Sequence, residues 1–198
     1  NISTTICYIQ LVSENEFKTI ENLEKSLRNS TACDFLFVAI PINDWNRELS
    51  PWRADAVFSN EPFGGHGNFL LSYLKNEILP ALTTYMCKNR QIYFYLGGYS
   101  LAGLFSLWAS CETSLFYGIA AVSPSVWFPN WEEYIHTHKT NSSIIYLSLG
   151  NKEANTKNKL MKTVADKITL QYNILVNTLG KDKCILEWNE GNHFMNVN

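Results

Sequence analysis

One stretch of sequence constrains the fold more than any other, because it joins an apolar strand to an apolar helix through a tight turn. Residues 93–108 read YFYLGGYSLAGLFSLW. The aromatic and branched residues of Ile92–Leu96 predict a strand, and the apolar run Leu101–Cys111 predicts a buried helix. Between them, residues 98–102 (GYSLA) come close to the pattern G-x-S-x-G. This pattern places a serine on a sharp strand-to-helix turn, with its hydroxyl exposed at the end of a sheet.

The rest of the chain repeats the alternation of strand and helix. The predicted strands are Thr5–Val12, Asp34–Ile42, Ile92–Leu96, Gly118–Val122, Ile144–Leu149 and Lys183–Trp188. The predicted helices are Glu14–Arg28, Phe69–Cys87 with a kink or break at Pro80, Leu101–Cys111, Asn130–His138 and Thr156–Thr178. This order predicts a three-layer α/β sandwich with a mainly parallel sheet, and its 198 residues suit one domain over 1–198. The turn at Ser100 is typical of the α/β-hydrolase fold, of which a chain this short would form a minimal version. In such sheets, sites form at the carboxyl ends of the strands.

The composition argues against several other classes of protein. Hydrophobic residues make up 46% and charged residues 17% of the chain, which favours a folded core over disorder. The net charge of −2 without a basic run argues against a nucleic-acid partner, and apolar stretches of about ten residues are too short to span a membrane. No secretory signal pattern is visible, and the chain begins with Asn1 rather than Met, so the sequence leaves open whether an initiator or a processed segment precedes it.

The five cysteines are scattered and show no zinc-binding spacing. We expect reduced, buried thiols in a cytoplasmic protein. They are Cys7, Cys33, Cys87, Cys111 and Cys184.

Ser100 is the candidate nucleophile of this chain. The tight turn requires small residues two positions before and after the serine, and these are Gly98 and Ala102. The backbone N–H of Leu101, at the start of the helix, is the expected donor to a developing oxyanion. The alternative is a serine that only caps the helix, which is a favoured position for this residue.

A serine hydroxyl needs a base, and His193 is the best candidate for it. It follows the last predicted strand, so that a loop from the carboxyl end of the strand can bring the imidazole over the serine. In this fold the order along the chain is serine, acid, histidine, which His66 violates. His136 and His138 lie in a polar helical segment typical of a solvated surface. The alternative for His193 is a mobile terminal residue.

The acid should follow the strand before the last one, and Glu153 comes directly after Ile144–Leu149. It would hold one tautomer of His193 and stabilise the imidazolium. Asp182 and Glu190 are the rival carboxylates, but both lie beside the last strand. The alternative for Glu153 is an exposed residue near the start of the next helix.

Two further segments are candidates for substrate contact. The second oxyanion donor in this fold comes from the loop after an early strand, which points to Val12 and Ser13. The segment Asp44–Arg53, with Trp45, follows a strand end and could wall an apolar pocket. The alternative is that its tryptophans only cover the edge of the core. More generally, residues 43–67 are predicted to form a long irregular loop.

The motifs together resemble the putative-esterase family, which includes esterase D and the enterochelin esterases. The resemblance rests on residues 97–103 (GGYSLAG), 123–127 (SPSVW), 150–153 (GNKE) and 190–193 (EGNH), and extends from about Tyr93 to the C-terminus. It implies hydrolysis of carboxylic esters by Ser100, Glu153 and His193. It also implies that Ser125 and Trp127 lie near the pocket.

The predicted activity is therefore hydrolysis of a small-molecule ester through an acyl-enzyme on Ser100. This chemistry needs no cofactor or metal. Two alternatives remain open from the sequence: acyl transfer or thioester hydrolysis by the same three residues, and a non-catalytic binding protein with this fold. The acyl and alcohol groups of the substrate and the oligomeric state are not indicated by the residues.

Overall fold

A six-stranded parallel sheet organises the residues that the computed structural model describes, which are 4–57, 60–86 and 91–193. Its strands are β1 (Thr4–Val12), β2 (Phe35–Pro41), β5 (Gln91–Tyr99), β6 (Phe116–Val122), β7 (Ile144–Gly150) and β8 (Cys184–Asn189). A two-stranded antiparallel sheet is formed by β3 (Arg53–Ala54) and β4 (Phe63–Gly64). The order across the large sheet is β2-β1-β5-β6-β7-β8, and every neighbouring pair is parallel. The predicted α/β architecture with a parallel sheet and all six predicted strands of that sheet are confirmed.

Eight α-helices connect these strands in the described residues. They are α1 (Glu14–Phe17), α2 (Ile20–Ser30), α3 (Trp45–Glu48), α4 (Gly67–Tyr73), α5 (Leu79–Tyr85), α6 (Leu101–Glu112), α7 (Trp131–Thr137) and α8 (Val164–Leu179). Short 3₁₀ turns occupy Met161–Thr163 and Lys181–Lys183. None of these helices is both long and apolar enough to cross a bilayer.

Three predicted helices differ from the observed ones. The predicted helix Glu14–Arg28 is divided into α1 and α2, because the N–H and hydroxyl of Thr19 both turn back to the carbonyl of Glu16. The predicted helix Phe69–Cys87 runs as α4, a π-helical segment (Leu74–Ile78) and α5, and Cys87 lies outside the described residues. The π segment directly precedes α5, which has Pro80 in its first turn, where the missing N–H of proline is tolerated.

The predicted helix Thr156–Thr178 begins later than expected. The helix α8 starts at Val164, because Asn158 first arranges the preceding turn. Its Oδ1 accepts from the backbone N–H groups of Leu160 and Met161, at 3.0 and 3.1 Å, while its Nδ2 donates to the carbonyl of Val57. Local side-chain bonds of this kind compete with helix formation.

The segment predicted as an irregular loop, residues 43–67, contains α3 and the small antiparallel sheet. Asp44 caps α3 by accepting from the backbone N–H of Arg47. The indole N–H of Trp52 donates to the carbonyl of Pro129 at 3.0 Å, and its ring stacks against Trp131. Trp45 is half-buried and also packs against the core. Both tryptophans are thus partly buried against the core, and a contact of Trp45 with substrate stays a prediction.

The two faces of the large sheet are covered differently. Side chains alternate between the faces of a strand, and Cys7 and Ile9 of β1 point to the fully buried face, against which α6 and α8 pack. Tyr8 of β1 points the other way, toward α2. There an open, largely apolar cavity of about 640 Å³ lies between α2 and the sheet. It is lined by Leu23 and Leu27 of α2 and by four tyrosines, Tyr8, Tyr95, Tyr99 and Tyr146.

The cysteines do not share one environment, so the prediction that they are buried is wrong for two of them. Cys7 and Cys184 are buried in strands, as expected. Cys111, near the end of α6, is partly exposed, and Cys33 is exposed because it lies in the turn between α2 and β2. All four carry free thiols, and Cys87 lies outside the described residues.

Candidate active site

Ser100 occupies a strained turn between β5 and α6. Its backbone angles are φ 57° and ψ −119°, in a region that residues with a side chain rarely adopt. Three main-chain hydrogen bonds hold it there: its N–H donates to the carbonyl of Val122, and its carbonyl accepts from Leu104 and Ser125. Strain of this kind persists where the surroundings overdetermine it, and such sites are often functional.

The small residues around the turn are required by close approach of the backbone. A Cβ atom added to Gly98 would lie 2.5 Å from the carbonyl carbon and the Cβ of Ala102. A Cβ added to Gly103 would lie 3.0 Å from the carbonyl oxygen of Gly98 and 3.2 Å from Pro124. The helix can therefore start this close to the strand only with glycine at position 98.

His193 lies in the loop after β8, the strand at the edge of the sheet, and its side chain extends to Ser100. The loop after β8 is fastened to the end of β7, where the N–H of Lys152 donates to the carbonyl of Gly191 at 3.0 Å. Nε2 of His193 lies 2.9 Å from Oγ of Ser100. The ring of Tyr99 packs on the imidazole, with 5.3 Å between the ring centroids. The structure thus brings together two residues that are 93 positions apart.

Glu153 contacts the far side of the same imidazole. Its Oε2 lies 2.7 Å from Nδ1 of His193, and its side chain is only 2% exposed. Its other oxygen, Oε1, accepts from the hydroxyl of Ser123 at 2.6 Å and from the N–H of Gly150 at 2.8 Å. Burial acts to raise the pKa of Glu153, but the hydrogen bonds from His193, Ser123 and Gly150 outweigh it and lower the pKa below its usual value.

The rival residues lie elsewhere. Asp182 is in the turn before β8, at the opposite end of that strand, and Glu190 is exposed. His66 accepts from Nε of Arg47, while His138 stacks on Tyr134 with 4.0 Å between ring centroids. None of these contacts involves Ser100.

The three candidate oxyanion donors differ in their surroundings. Leu101 is the first residue of α6, and N–H groups in the first turn of a helix have no partner within the helix. In β1, Leu11 is opposite Gly98 of β5, so Val12 and Ser13 follow at the same end of the sheet as Ser100. The N–H of Ser13, however, donates to the carboxylate of Glu16 at 2.6 Å in a capping box. This N–H is therefore already engaged.

The residues implied as substrate contacts have separate locations. Oγ of the buried Ser125 lies 3.4 Å from Oγ of Ser100. Trp127 is buried in the core, with its ring 6.4 Å from that of Phe63, and Trp45 covers the core as described above. Among the described residues, no group of three or more His, Cys, Asp or Glu side chains is placed to hold a metal ion.

Sequence reasoning missed Ser123, whose hydroxyl contacts Glu153. The available signal was its position directly after β6, the strand between those that precede Ser100 and Glu153. Like Ser100, it has a positive φ, of 44°.

Comparison with known proteins finds a relative in sequence and several proteins of similar fold. The chain is 27% identical over 165 residues to the uncharacterized protein YbbA of Bacillus subtilis (strain 168), covering 81% of this chain and 66% of YbbA. Its fold is similar to that of an IroE-like serine hydrolase from Shewanella oneidensis, with a TM-score of 0.74, 15% identity, and coverage of 98% of this chain and 66% of that one. It is also similar to the siderophore hydrolase EstA of Aspergillus nidulans, with a TM-score of 0.71, 19% identity, and coverage of 96% and 77%.

The chain thus spans about two thirds of the length of YbbA and of the Shewanella hydrolase. A family model described as "Putative esterase" matches residues 12–192, which include the serine and the acid of the site described above and end one residue before its histidine. The chain belongs to the Putative esterase family.

Proposed function

We propose that this chain hydrolyses carboxylic esters through an acyl-enzyme formed on Ser100. The observation that carries the proposal is the series of contacts from Oγ of Ser100 to Nε2 of His193, at 2.9 Å, and from Nδ1 of His193 to Glu153, at 2.7 Å. A nucleophile bonded to a base that is itself oriented by a third group is the arrangement that activates a serine. Membership of an esterase family supports the same conclusion.

Each residue has a defined part in the proposed reaction. Ser100 attacks the ester carbonyl while Nε2 of His193 takes the hydroxyl proton, and Glu153 stabilises the resulting imidazolium. The N–H of Leu101 donates to the oxyanion of the tetrahedral intermediate. His193 then gives its proton to the leaving alkoxide, and in the second half it activates the water that releases the acid from Ser100.

The remaining roles are proposals of the same kind. Ser125 is proposed to contact the substrate because its hydroxyl lies 3.4 Å from that of Ser100. Val12 and Ser13 are the proposed second oxyanion donors, and the N–H of Ser13 would have to release Glu16 before it could act. Trp127 and Trp45 are proposed to shape the site indirectly, through the packing of the core beside it.

The test compares wild type with Ser100→Ala on p-nitrophenyl esters of increasing acyl length. A siderophore ester is added to the panel because EstA is named a siderophore hydrolase. The matched control is Ser106→Ala, a buried serine of α6 whose hydroxyl donates within its own helix, to the carbonyl of Ala102. We expect the kcat of Ser100→Ala to fall by about 10³-fold or more. Ser106→Ala should keep the wild-type kcat.

Labelling by a fluorophosphonate probe provides a second readout. Wild type and Ser106→Ala should be labelled at Ser100, and Ser100→Ala should not. Equal ester hydrolysis by wild type and Ser100→Ala would exclude this mechanism. Absence of labelling in the folded wild type would favour a non-catalytic binding protein instead. Added alcohols that capture the acyl group in preference to water would indicate acyl transfer.

A further inference from the structure

We infer that Ser123 is a positioning residue: its hydroxyl holds the carboxylate of Glu153 with one oxygen turned toward His193. The catalytic consequence of this role rests on the proposed function, whereas the positioning itself is a property of the folded chain. Ser123 acts through Glu153 and takes no part in the bonds that form and break at Ser100.

The first supporting observation is that the two carboxylate oxygens of Glu153 have different hydrogen-bond partners. Oε1 of Glu153 accepts from the hydroxyl of Ser123 at 2.6 Å and from the N–H of Gly150 at 2.8 Å. Oε2 accepts from Nδ1 of His193 at 2.7 Å. An ionised carboxylate only accepts, so the hydroxyl of Ser123 is the donor. With Oε1 fixed by two donors, the carboxylate is held against rotation and Oε2 faces the imidazole.

The second support is the position of Ser123 in the fold. It directly follows Val122, whose carbonyl accepts from the N–H of Ser100. Its own N–H donates to the carbonyl of Ser148 at 2.8 Å, in the strand that leads to Glu153. One turn therefore contacts both the main chain of the candidate nucleophile and the side chain of the candidate acid.

The third support is the backbone of Ser123. Its φ of 44° lies in the left-handed region, which glycine adopts freely and residues with a side chain adopt at a cost. The side chain is nevertheless present, buried with the residue only 4% exposed, and its hydroxyl makes a short bond to a charged group. Hydrogen bonds to charged groups are the strong ones, which offsets the backbone strain.

The same bond favours the ionised form of the acid. Although burial raises the pKa of Glu153, the hydrogen bonds from His193 and Ser123 are among those that lower it. Removal of the hydroxyl should therefore let the acid take up a proton at higher pH. This shift distinguishes a positioning role from a merely structural one, which would change stability alone.

The experiment uses two variants that lack the hydroxyl and one control. Ser123→Ala keeps the Cβ, and Ser123→Gly also relieves the positive φ. The control, Ser142→Ala, removes another buried serine hydroxyl, which donates to the carbonyl of Phe116 at the opposite end of β6. We expect both Ser123 variants to lose about 10-fold or more in kcat, with KM within about twofold of wild type. Ser142→Ala should keep the wild-type kcat and KM.

A wild-type kcat in Ser123→Ala would overturn the inference. A loss in Ser123→Ala that Ser123→Gly restores would also overturn it, because the effect would then come from the backbone rather than from the hydroxyl.

A substrate-free measurement separates this inference from the proposed function. Proton NMR follows the downfield resonance of the Nδ1–H of His193 bonded to Glu153 as the pH is lowered. We expect this resonance to weaken at higher pH in both Ser123 variants than in wild type or Ser142→Ala. If wild type hydrolyses no ester, the proposed function fails while this titration still decides the role of Ser123. An identical titration in wild type and Ser123→Ala would rule that role out.

Discussion

The imidazole of His193 lies between two partners, with Nδ1 2.7 Å from Oε2 of Glu153 and Nε2 facing Ser100. Because Glu153 is an acceptor only, it holds the proton of His193 on Nδ1 and leaves Nε2 free to accept. The contact therefore selects the tautomer that a base at Ser100 requires, which leads to the first prediction.

Glu153→Gln should lower kcat by about 10³- to 10⁴-fold, with little change in KM. The amide oxygen can still accept from Ser123 and Gly150, but the amide NH₂ then faces Nδ1 and favours the wrong tautomer of His193. Steady-state kinetics on the best p-nitrophenyl ester measure this effect. The matched control is Glu190→Gln, since Glu190 is exposed, and it should keep the wild-type kcat. A kcat of Glu153→Gln within about threefold of the control would contradict the prediction.

The stability of the fold should depend on pH through the same carboxylate. The pKa of Glu153 is lowered in the folded state, since hydrogen bonds outweigh burial. A group with a depressed folded pKa stabilises the fold above its unfolded pKa, about 4.3 for glutamate, and this contribution is lost as the pH falls through the folded value. The free energy of unfolding in urea should therefore drop more steeply below about pH 4.3 in wild type than in Glu153→Gln. The prediction would be contradicted if the free energy of unfolding of the two proteins changed in parallel with pH.

Gly98→Ala should destabilise the fold by about 1–3 kcal/mol and abolish most activity, because the new Cβ overpacks the turn. It would lie 2.5 Å from the carbonyl carbon and Cβ of Ala102, and 2.7 Å from the carbonyl oxygen of that residue. Adding Ala102→Gly removes only the Cβ contact, so the double variant should not recover. Urea unfolding measures the free energy of unfolding of both variants. A Gly98→Ala protein as stable as wild type would contradict the predicted clash of the new Cβ with Ala102.

The cysteines should react with iodoacetamide in an order set by exposure. Among the four described cysteines, Cys33 is the exposed one and should be alkylated first at about pH 8, whereas burial raises the pKa of Cys7 to about 12 and keeps its thiol protonated. Peptide mass spectrometry after short exposure assigns the label to each residue. In denaturant, Cys7 should react as fast as Cys33, which serves as the control. Equal rates in the folded protein would mean that the sheet opens more readily than its packing suggests.

The parts of the site that were predictable from sequence are those with a local signal. The turn at Ser100 was predictable because the adjacent strand and helix and the small residues beside it are contiguous in the chain. Glu153 and His193 were predictable only through the ends of their strands, because parallel strands end at one edge of the sheet. The contact of Ser123 with Glu153 was not, since it joins residues 30 positions apart and depends on the side-chain geometry at the ends of neighbouring strands.

Some predicted helix bounds were wrong for a related reason, because they depend on contacts between residues that are far apart in the chain. Asn158 delays the start of α8 through its bonds to two backbone N–H groups and to Val57, which is 101 positions away. Hydrophobic periodicity over 156–178 carries no information about such a contact. Similarly, the bond from the indole N–H of Trp52 to the carbonyl of Pro129 joins residues 77 positions apart and has no local signal in the sequence.

The strand order has a consequence for how heat inactivates this protein. The residues before Ser100 and Ser123 belong to β5 and β6, each paired on both sides, whereas β8, which leads to His193, pairs only with β7 within the described sheet. Edge strands open locally at lower free energy than interior ones. Fraying of β8 would withdraw the imidazole while the serine stays in place on an intact interior. On mild heating, the proposed esterase activity should therefore be lost reversibly, at a lower temperature than the secondary structure.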